Sequence, residues 1–303
     1  MLSLLVALSL AFASEPATPT SRPLVAFDAV VTASSPHYDL EAIYHEGRYD
    51  EGLELTKARI AAHPEDSELY VHAIRFMFEI GERFERTDAK VDKKAWYNDM
   101  IGYAEQGLEV KPGDPHLLYG YALSKARLGT TRGVLSSLFM AKEVEDVWLS
   151  VVSSGYRYSS LGGEEMLPCD AHLTLGVFYR LVPDSGIVKF LSGTRGDLLK
   201  SLGHLQSADA CYPDRMGVVK ELGVTQLCLG DKEKDPAMTA RGIATLERAT
   251  QIVPGAATDY TDIRHAKMLI ADPSLACEYS RDGQQELDEE IDEEKAMGGS
   301  ASP

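Results

Sequence analysis

The chain has 303 residues, 44% of them hydrophobic, which is the composition of a folded protein rather than a disordered one. Its 30 Lys and Arg residues against 47 Asp and Glu residues give a formal net charge of -17. Nucleic acids and anionic membrane surfaces bind proteins through clustered positive charge, so this balance excludes both as main partners and favours neutral, basic or apolar ones.

The first 13 residues, MLSLLVALSLAFA, are an apolar run that predicts an export signal. The run is too short for stable membrane insertion, because a helix needs about 20 residues to cross a hydrocarbon core. No Lys or Arg precedes it, so an ordinary hydrophobic terminus is the alternative. Residues 14–36 are rich in Pro, Ser, Thr and Ala and are predicted to be a low-complexity tether. We therefore expect a protein that is exported, either periplasmic or secreted from a bacterium.

From residue 37 onward, apolar residues recur at three- and four-residue steps, which predicts helices and almost no strand. The clearest stretch carries one stripe through Leu198, Leu202 and Leu205, a break at Pro213, and a second stripe through Leu222. This pattern is that of a helix hairpin whose two helices cannot bury their stripes alone. The predicted helices are 37–46, 49–62, 66–82, 93–110, 115–128, 132–153, 169–181, 195–211, 215–229, 236–252 and 259–271.

Prolines mark the ends of several of these helices. Pro64, Pro112, Pro213 and Pro254 each follow one amphipathic helix and precede another, at spacings of 48, 101 and 41 residues. These spacings are close to one or three helix-pair repeats of roughly 34 residues plus insertions. They predict an all-α solenoid that forms one domain over residues 37–280, followed by an acidic tail at 281–303.

Two segments, 46–66 (EGRYDEGLELTKARIAAHPED) and 242–255 (GIATLERATQIVPG), resemble the turn and second helix of a tetratricopeptide (TPR) repeat. They depart from the family pattern where Gly52 and Gly242 replace the small alanine at the helix crossing. The resemblance implies a right-handed α-solenoid of divergent TPR-like helix hairpins. It also implies an exported, non-catalytic scaffold that binds a protein or peptide on its concave face.

A longer stretch, from about residue 44 to 254, is similar to two relatives in the order of its motifs. These motifs include AWYNDMIGYAEQGLEVKPGDP, HLTLGVFYRLVP and SGTRGDLLKSLGHLQSADACYPD. The relatives are the T-component proteins of tripartite ATP-independent periplasmic (TRAP) transporters and the regulator of microtubule dynamics family. The transporter likeness implies an alternative function, in which a central channel takes a small amphipathic ligand and passes it to a solute-binding protein.

The four cysteines, Cys169, Cys211, Cys228 and Cys277, allow three disulfide pairings in an exported protein. In an antiparallel hairpin the start of the first helix lies beside the end of the second, which brings Cys169 near Cys211. Corresponding helices of adjacent repeats run parallel, which brings Cys228 to the level of Cys277. We predict these two pairs, and four buried thiols are the alternative.

Candidate binding residues come from a concentration of aromatic side chains between residues 70 and 180. Trp96, Tyr119 and Phe139 fall on helices that could line the concave face of a superhelix, although core packing is the alternative for each. A thiolate at Cys169, activated by His172 one helical turn later, is the one enzyme hypothesis, and a structural cysteine is favoured over it. The eight histidines show no metal-binding spacing, so we predict no catalytic residues, metal or cofactor.

Overall fold

The computed structural model describes residues 29–84, 92–133, 135–255 and 257–284. The predicted export signal, most of the tether and the acidic run after residue 284 lie outside these ranges. Twelve α-helices make up most of the described chain. They are α1 (Tyr38–His45), α2 (Tyr49–Ala62), α3 (Ser67–Glu82), α4 (Lys93–Val110), α5 (Pro115–Arg132), α6 (Leu138–Ser153), α7 (Cys169–Leu181), α8 (Gly186–Ser192), α9 (Leu198–Cys211), α10 (Met216–Glu233), α11 (Pro236–Gln251) and α12 (Ala257–Ala271).

The helices form a stack of antiparallel hairpins, which confirms the predicted all-α solenoid. The hairpins are α1/α2, α3/α4, α5/α6, α7/α9 and α10/α11, and α12 packs on α11. Helices α1, α3, α5, α7, α10 and α12 form a first row, in which α3 also packs on α5, and α10 on both α7 and α12. A stack that is tighter along one row curves towards that row, so the first row is the inner face of the solenoid.

Local chemistry explains where the helices begin and end. Five helices start at an aspartate whose side chain accepts a hydrogen bond from a backbone N–H two or three residues later: Asp66, Asp92, Asp114, Asp197 and Asp235. Helices α2, α4, α9 and α11 end two or three residues before the predicted proline stops. The predicted helix at 195–211 starts at Leu198 instead, because Asp197 is its cap.

The two glycines at the predicted crossing positions allow neighbouring helices to approach closely. A Cβ atom at Gly52 would lie 2.2 Å from the ring of Phe76, and one at Gly242 would lie 2.8 Å from the side chain of Leu227. Both contacts are far below ordinary van der Waals distance. Glycine therefore does more at these positions than the alanine of the TPR pattern could do.

Two features were not predicted. Helix α8, which packs on α6, begins at the Ser185 cap, whose hydroxyl accepts a hydrogen bond from the Val188 N–H. Three strands of two residues each form a small sheet: β1 (Ala29–Val30) pairs parallel with β2 (Tyr158–Ser159), which pairs antiparallel with β3 (Met166–Leu167). Two of these strands lie between the predicted helices 132–153 and 169–181. Strands this short carry no alternation that a sequence pattern could reveal.

Both predicted disulfides are present. Cys169 at the start of α7 is bonded to Cys211 at the end of α9, with Cα atoms 5.6 Å apart. Cys228 on α10 is bonded to Cys277, with Cα atoms 4.6 Å apart. The alternative of four buried thiols is therefore wrong. Disulfides of this kind are typical of oxidising compartments outside the cytosol.

Candidate functional site

The inner face carries buried charged side chains where a solenoid core would be expected to be apolar. Arg75 on α3 is 5% exposed and contacts the carboxylates of Glu41 on α1 and Glu165 after α6. His116 on α5 places Nε2 3.1 Å from Oε1 of Glu165. Burial alone would raise the pKa of Glu165, but His116 and Arg75 lower it to about 2. Glu165 is therefore a carboxylate at neutral pH, held by Arg75 on α3 and by His116 on α5.

The segment 155–168 covers this end of the inner face. Tyr158 donates a hydrogen bond to Glu41 at 3.1 Å, and its ring centroid lies 4.4 Å from that of His116. At the other end of the segment, Arg215 contacts the carboxylate of Asp170 and donates to the carbonyl of Glu164 at 2.5 Å. A stretch of polypeptide is thus held across the first-row helices by charged groups.

A second group of buried charges lies on α7, α10 and α12. Arg180 on α7 pairs with Glu221 on α10. Lys220 is 1% exposed, and its Nζ atom lies 2.8 Å from carboxylate oxygens of both Glu221 and Asp262. Burial would raise the pKa of Glu221, but Lys220 and Arg180 lower it to about 2. These groups link three consecutive first-row helices through charge.

Residues Tyr279–Gln284, which we call the C-terminal strap, lie against this second group. Tyr279 is 4% exposed, and its carbonyl accepts a hydrogen bond from Arg180 at 2.5 Å. Its hydroxyl oxygen lies 3.1 Å from Nζ of Lys220 and 3.0 Å from Nδ1 of His265. One tyrosine of the strap is therefore recognised by three inner-face helices, through both its backbone and its side chain.

The strap also contacts α3 and α5, in the second and third hairpins of the stack. Arg281 donates to Asp262 on α12 at 3.2 Å and to Glu82 on α3 at 3.3 Å. Asp282 accepts from Arg127 on α5 at 2.8 Å. Burial would raise the pKa of Asp282, but the Arg127 guanidinium lowers it below its ordinary value. The strap thus joins α12 to α3 and α5 across the inner face.

The three predicted binding residues do not form one surface. Trp96 packs edge-on against Phe84 and donates to the carbonyl of Met77 at 2.9 Å, in the seam between α3 and α4. Tyr119 is 7% exposed and belongs to a separate core cluster, while Phe139 is 69% exposed. The first two have the environment of the core-packing alternative, and a role of any of the three in binding stays a prediction.

The enzyme hypothesis loses its nucleophile, because the sulfur of Cys169 is bonded to Cys211. His172 instead faces His204 on α9, with the two Nδ1 atoms 3.0 Å apart. Burial and the neighbouring His204 lower the pKa of His172 to about 4. Across the described residues, the structure groups no three His, Cys, Asp or Glu side chains in a way that could hold a metal ion.

Sequence reasoning missed the charged groups of the inner face, although a signal was present. Arg75 stands in AIRFMF, and Lys220 and Glu221 stand in VVKELGV, where each charge interrupts an apolar helical stripe. Such interruptions indicate a buried ion pair when the helix is covered on both sides. Glu41, the partner of Arg75, lies 34 residues away, and Asp262, the partner of Lys220, lies 42 residues away, so the pairing itself needs the fold.

None of the helices in the described ranges combines the length and apolar character that a bilayer crossing needs.

No protein-family model matches the chain, and no curated protein matches it. Similar solved structures exist. The thermophilic TPR protein TTC0263 of Thermus thermophilus is 17% identical with a TM-score of 0.49, over 76% of this chain and 96% of that one. YrrB, a TPR protein with an unusual peptide-binding site, is 14% identical with a TM-score of 0.38, over 79% of this chain and 99% of that one. MamA is 11% identical with a TM-score of 0.39, over 70% of this chain and 87% of that one.

Proposed function

We propose that this chain is an exported, non-catalytic scaffold that binds a protein or peptide on the inner face of its helical stack. One observation carries the proposal. The inner face holds a short segment of its own chain, the C-terminal strap, through side chains from α3, α5, α7, α10 and α12. A surface that binds its own chain in this way has the groups needed to bind another chain, since every peptide has backbone carbonyls and many carry charged side chains.

The charge of the inner face supports a polypeptide over a lipid-like ligand. An amphipathic small molecule would need an apolar lining with few polar groups. The inner face instead presents Arg75, Arg127, Arg180 and Lys220 among buried carboxylates. The transporter-associated alternative, with a small ligand passed to a solute-binding protein, is kept as an outcome of the test below.

The test is site-specific photo-crosslinking in the native host, with the full-length protein. A crosslinking amino acid replaces Glu79, a half-buried inner-face residue of α3 whose carboxylate accepts from Tyr44 at 2.9 Å. The matched control replaces Glu247, which is exposed on α11. This helix belongs to the outer row, which consists of the second helices of the hairpins. We expect a protein adduct from position 79 and none from position 247, identified by mass spectrometry.

Other results of the same experiment would contradict the proposal. A protein adduct from position 247 alone would move binding to the outer row. A co-purified small molecule, with no protein adduct at either position, would favour the transporter-associated alternative.

Export is tested separately by alkylating free thiols before lysis. We expect both disulfides intact in protein from the host, and four alkylated cysteines would overturn the exported location.

A further inference from the structure

The C-terminal strap, in which residues 281–284 form a helical turn and Tyr279 also packs in a core cluster, makes polar contacts of the kind that recognise a bound peptide. Arg180 donates a hydrogen bond to the backbone carbonyl of Tyr279. Lys220 and His265 contact the phenol oxygen of the same residue. The guanidinium of Arg281 donates to Asp262 and Glu82, and the carboxylate of Asp282 accepts from Arg127. These side chains of the first-row helices, which we call the receiving groups, thus bind a phenol, a guanidinium and a carboxylate at fixed positions along the strap.

The receiving groups are also held in place by contacts that do not involve the strap. Arg180 pairs with Glu221, and Lys220 bridges Glu221 and Asp262 at 2.8 Å each. At the other end, Arg127 places Nη2 2.6 Å from Glu82. Since these pairs join first-row helices to one another, the groove keeps its arrangement of charges when the strap leaves. A groove that is already ordered binds a peptide at a lower entropic cost.

We propose that the C-terminal strap competes in cis with the partner of the inner face, and that this partner presents a phenol, a guanidinium and a carboxylate in the order Tyr-x-Arg-Asp. This inference rests on the proposed function and names the chemistry of its partner. The strap occupies the groove until a segment of the same chemistry displaces it. The groove is therefore selective for one pattern of side chains rather than open to any peptide.

A disulfide sets how strongly the strap competes. Cys277, two residues before Tyr279, is bonded to Cys228 in the middle of α10. The strap therefore has a short covalent tether to the helix that carries Lys220 and Glu221. Tethers of this length give effective concentrations on the order of millimolar, so a free peptide must outcompete a locally concentrated copy.

The experiment measures binding of a fluorescein-labelled peptide of residues 278–284, EYSRDGQ, to the full-length protein by fluorescence anisotropy. The test variant is R281A/D282A, which loosens the strap without touching the receiving groups. The matched control is R195A/D184A, which removes an arginine and an aspartate from a pair whose side chains are 49% and 54% exposed. We expect R281A/D282A to bind the peptide at least about tenfold more tightly than the wild type, because the site is no longer filled. The control variant and an EASADGQ peptide should show no such gain.

The two disulfides supply a second, independent comparison. C228S/C277S removes the tether of the strap, whereas C169S/C211S removes a disulfide between α7 and α9 that does not adjoin it. We expect the first variant alone to gain affinity for the peptide. Equal peptide affinity in the wild type, R281A/D282A and C228S/C277S would overturn the inference. Loss of folding in both strap variants, seen by circular dichroism, would also overturn it, because the strap would then be part of the core.

Failure of the inference is distinguishable from failure of the proposed function. If position 79 crosslinks a protein equally in the wild type and in R281A/D282A, the scaffold function stands and the competing strap is wrong. If R281A/D282A binds the peptide and yet no host protein is crosslinked from position 79, the groove binds peptides and the scaffold function is wrong.

Discussion

Arg75 is the shared cation of two buried carboxylates, Glu41 and Glu165, and Arg75→Met tests how much the inner-face charges stabilise the fold. Met keeps an unbranched apolar stem and removes only the guanidinium. Breaking a buried ion pair from one side costs about 3–5 kcal/mol, because a charge is left without its partner. His72 lies 3.7 Å from Glu41, and burial together with Arg75 lowers its pKa. Removal of Arg75 favours protonation of His72, so we expect the lower part of that range.

The assay is thermal and urea unfolding at neutral pH, followed by far-UV circular dichroism. For a domain of this size, 1 kcal/mol corresponds to roughly 2–4 °C, so a loss of about 3 kcal/mol lowers the midpoint by roughly 6–12 °C. The control is Arg59→Met, which breaks a pair with Asp39 whose side chains are 30% and 53% exposed. Partly exposed pairs contribute about 1 kcal/mol or less. Equal losses in the two variants would refute the reasoning.

The pH dependence gives a second check on the same substitution. The folded-state pKa of Glu165 is about 2, below the ordinary value of 4.5. A lowered carboxyl pKa adds stability that is present above pH 4.5 and is lost as the pH falls towards 2. The stability difference between the wild type and Arg75→Met should therefore shrink across that window. A difference that is the same at neutral pH and at about pH 3 would show that Arg75 acts by packing alone.

Three further predictions concern other parts of the fold. Reduction of the two disulfides, which close loops of similar length, should lower stability by about 2–4 kcal/mol each, measured by urea unfolding with and without a thiol reductant. Gly242→Ala forces a methyl group onto Leu227 and should cost about 1–3 kcal/mol, whereas Gly203→Ala, with open space around its Cβ position, should be neutral or stabilising; equal effects would contradict the close crossing. His172 has a folded-state pKa of about 4, below its ordinary value of 6.5, so stability should fall as the pH drops from 6.5 to 4. The variant H172Q/H204Q should lose this slope in acid unfolding curves, and a slope that is retained would assign it to other groups.

The architecture was predictable from the sequence because its determinants are local. An apolar stripe or a proline stop acts within a few residues, as the stripe through Leu198 and Leu205 and the stop at Pro213 do. The disulfide pairing followed from the architecture, since helix direction alone places Cys169 beside Cys211. Helix α8 was missed because seven residues are too few to show a helical period.

The inner face could not be predicted in the same way, because its determinants are distant in sequence. Arg281 contacts Glu82, and the two residues are separated by 199 positions. Tyr158 meets Glu41 across 117 positions. No spacing rule joins such pairs, and a lone charge in an apolar stripe indicates only that a partner exists. Aromatic content alone does not separate a binding ring from a core ring, and Tyr119 lies in a core cluster.

The bridge that Arg281 makes between α12 and α3 changes how the molecule is expected to unfold. An open array of repeats unfolds from its ends, since each repeat is stabilised only by contacts with its neighbours. Here Arg281 bridges α12 to α3 in the second hairpin, so opening of one of these helices should disturb the other. Amide hydrogen exchange in α3 and α12 should then share one opening energy instead of following a gradient along the chain. Insertion or removal of one hairpin between α3 and α12 should therefore carry Arg281 out of reach of Glu82.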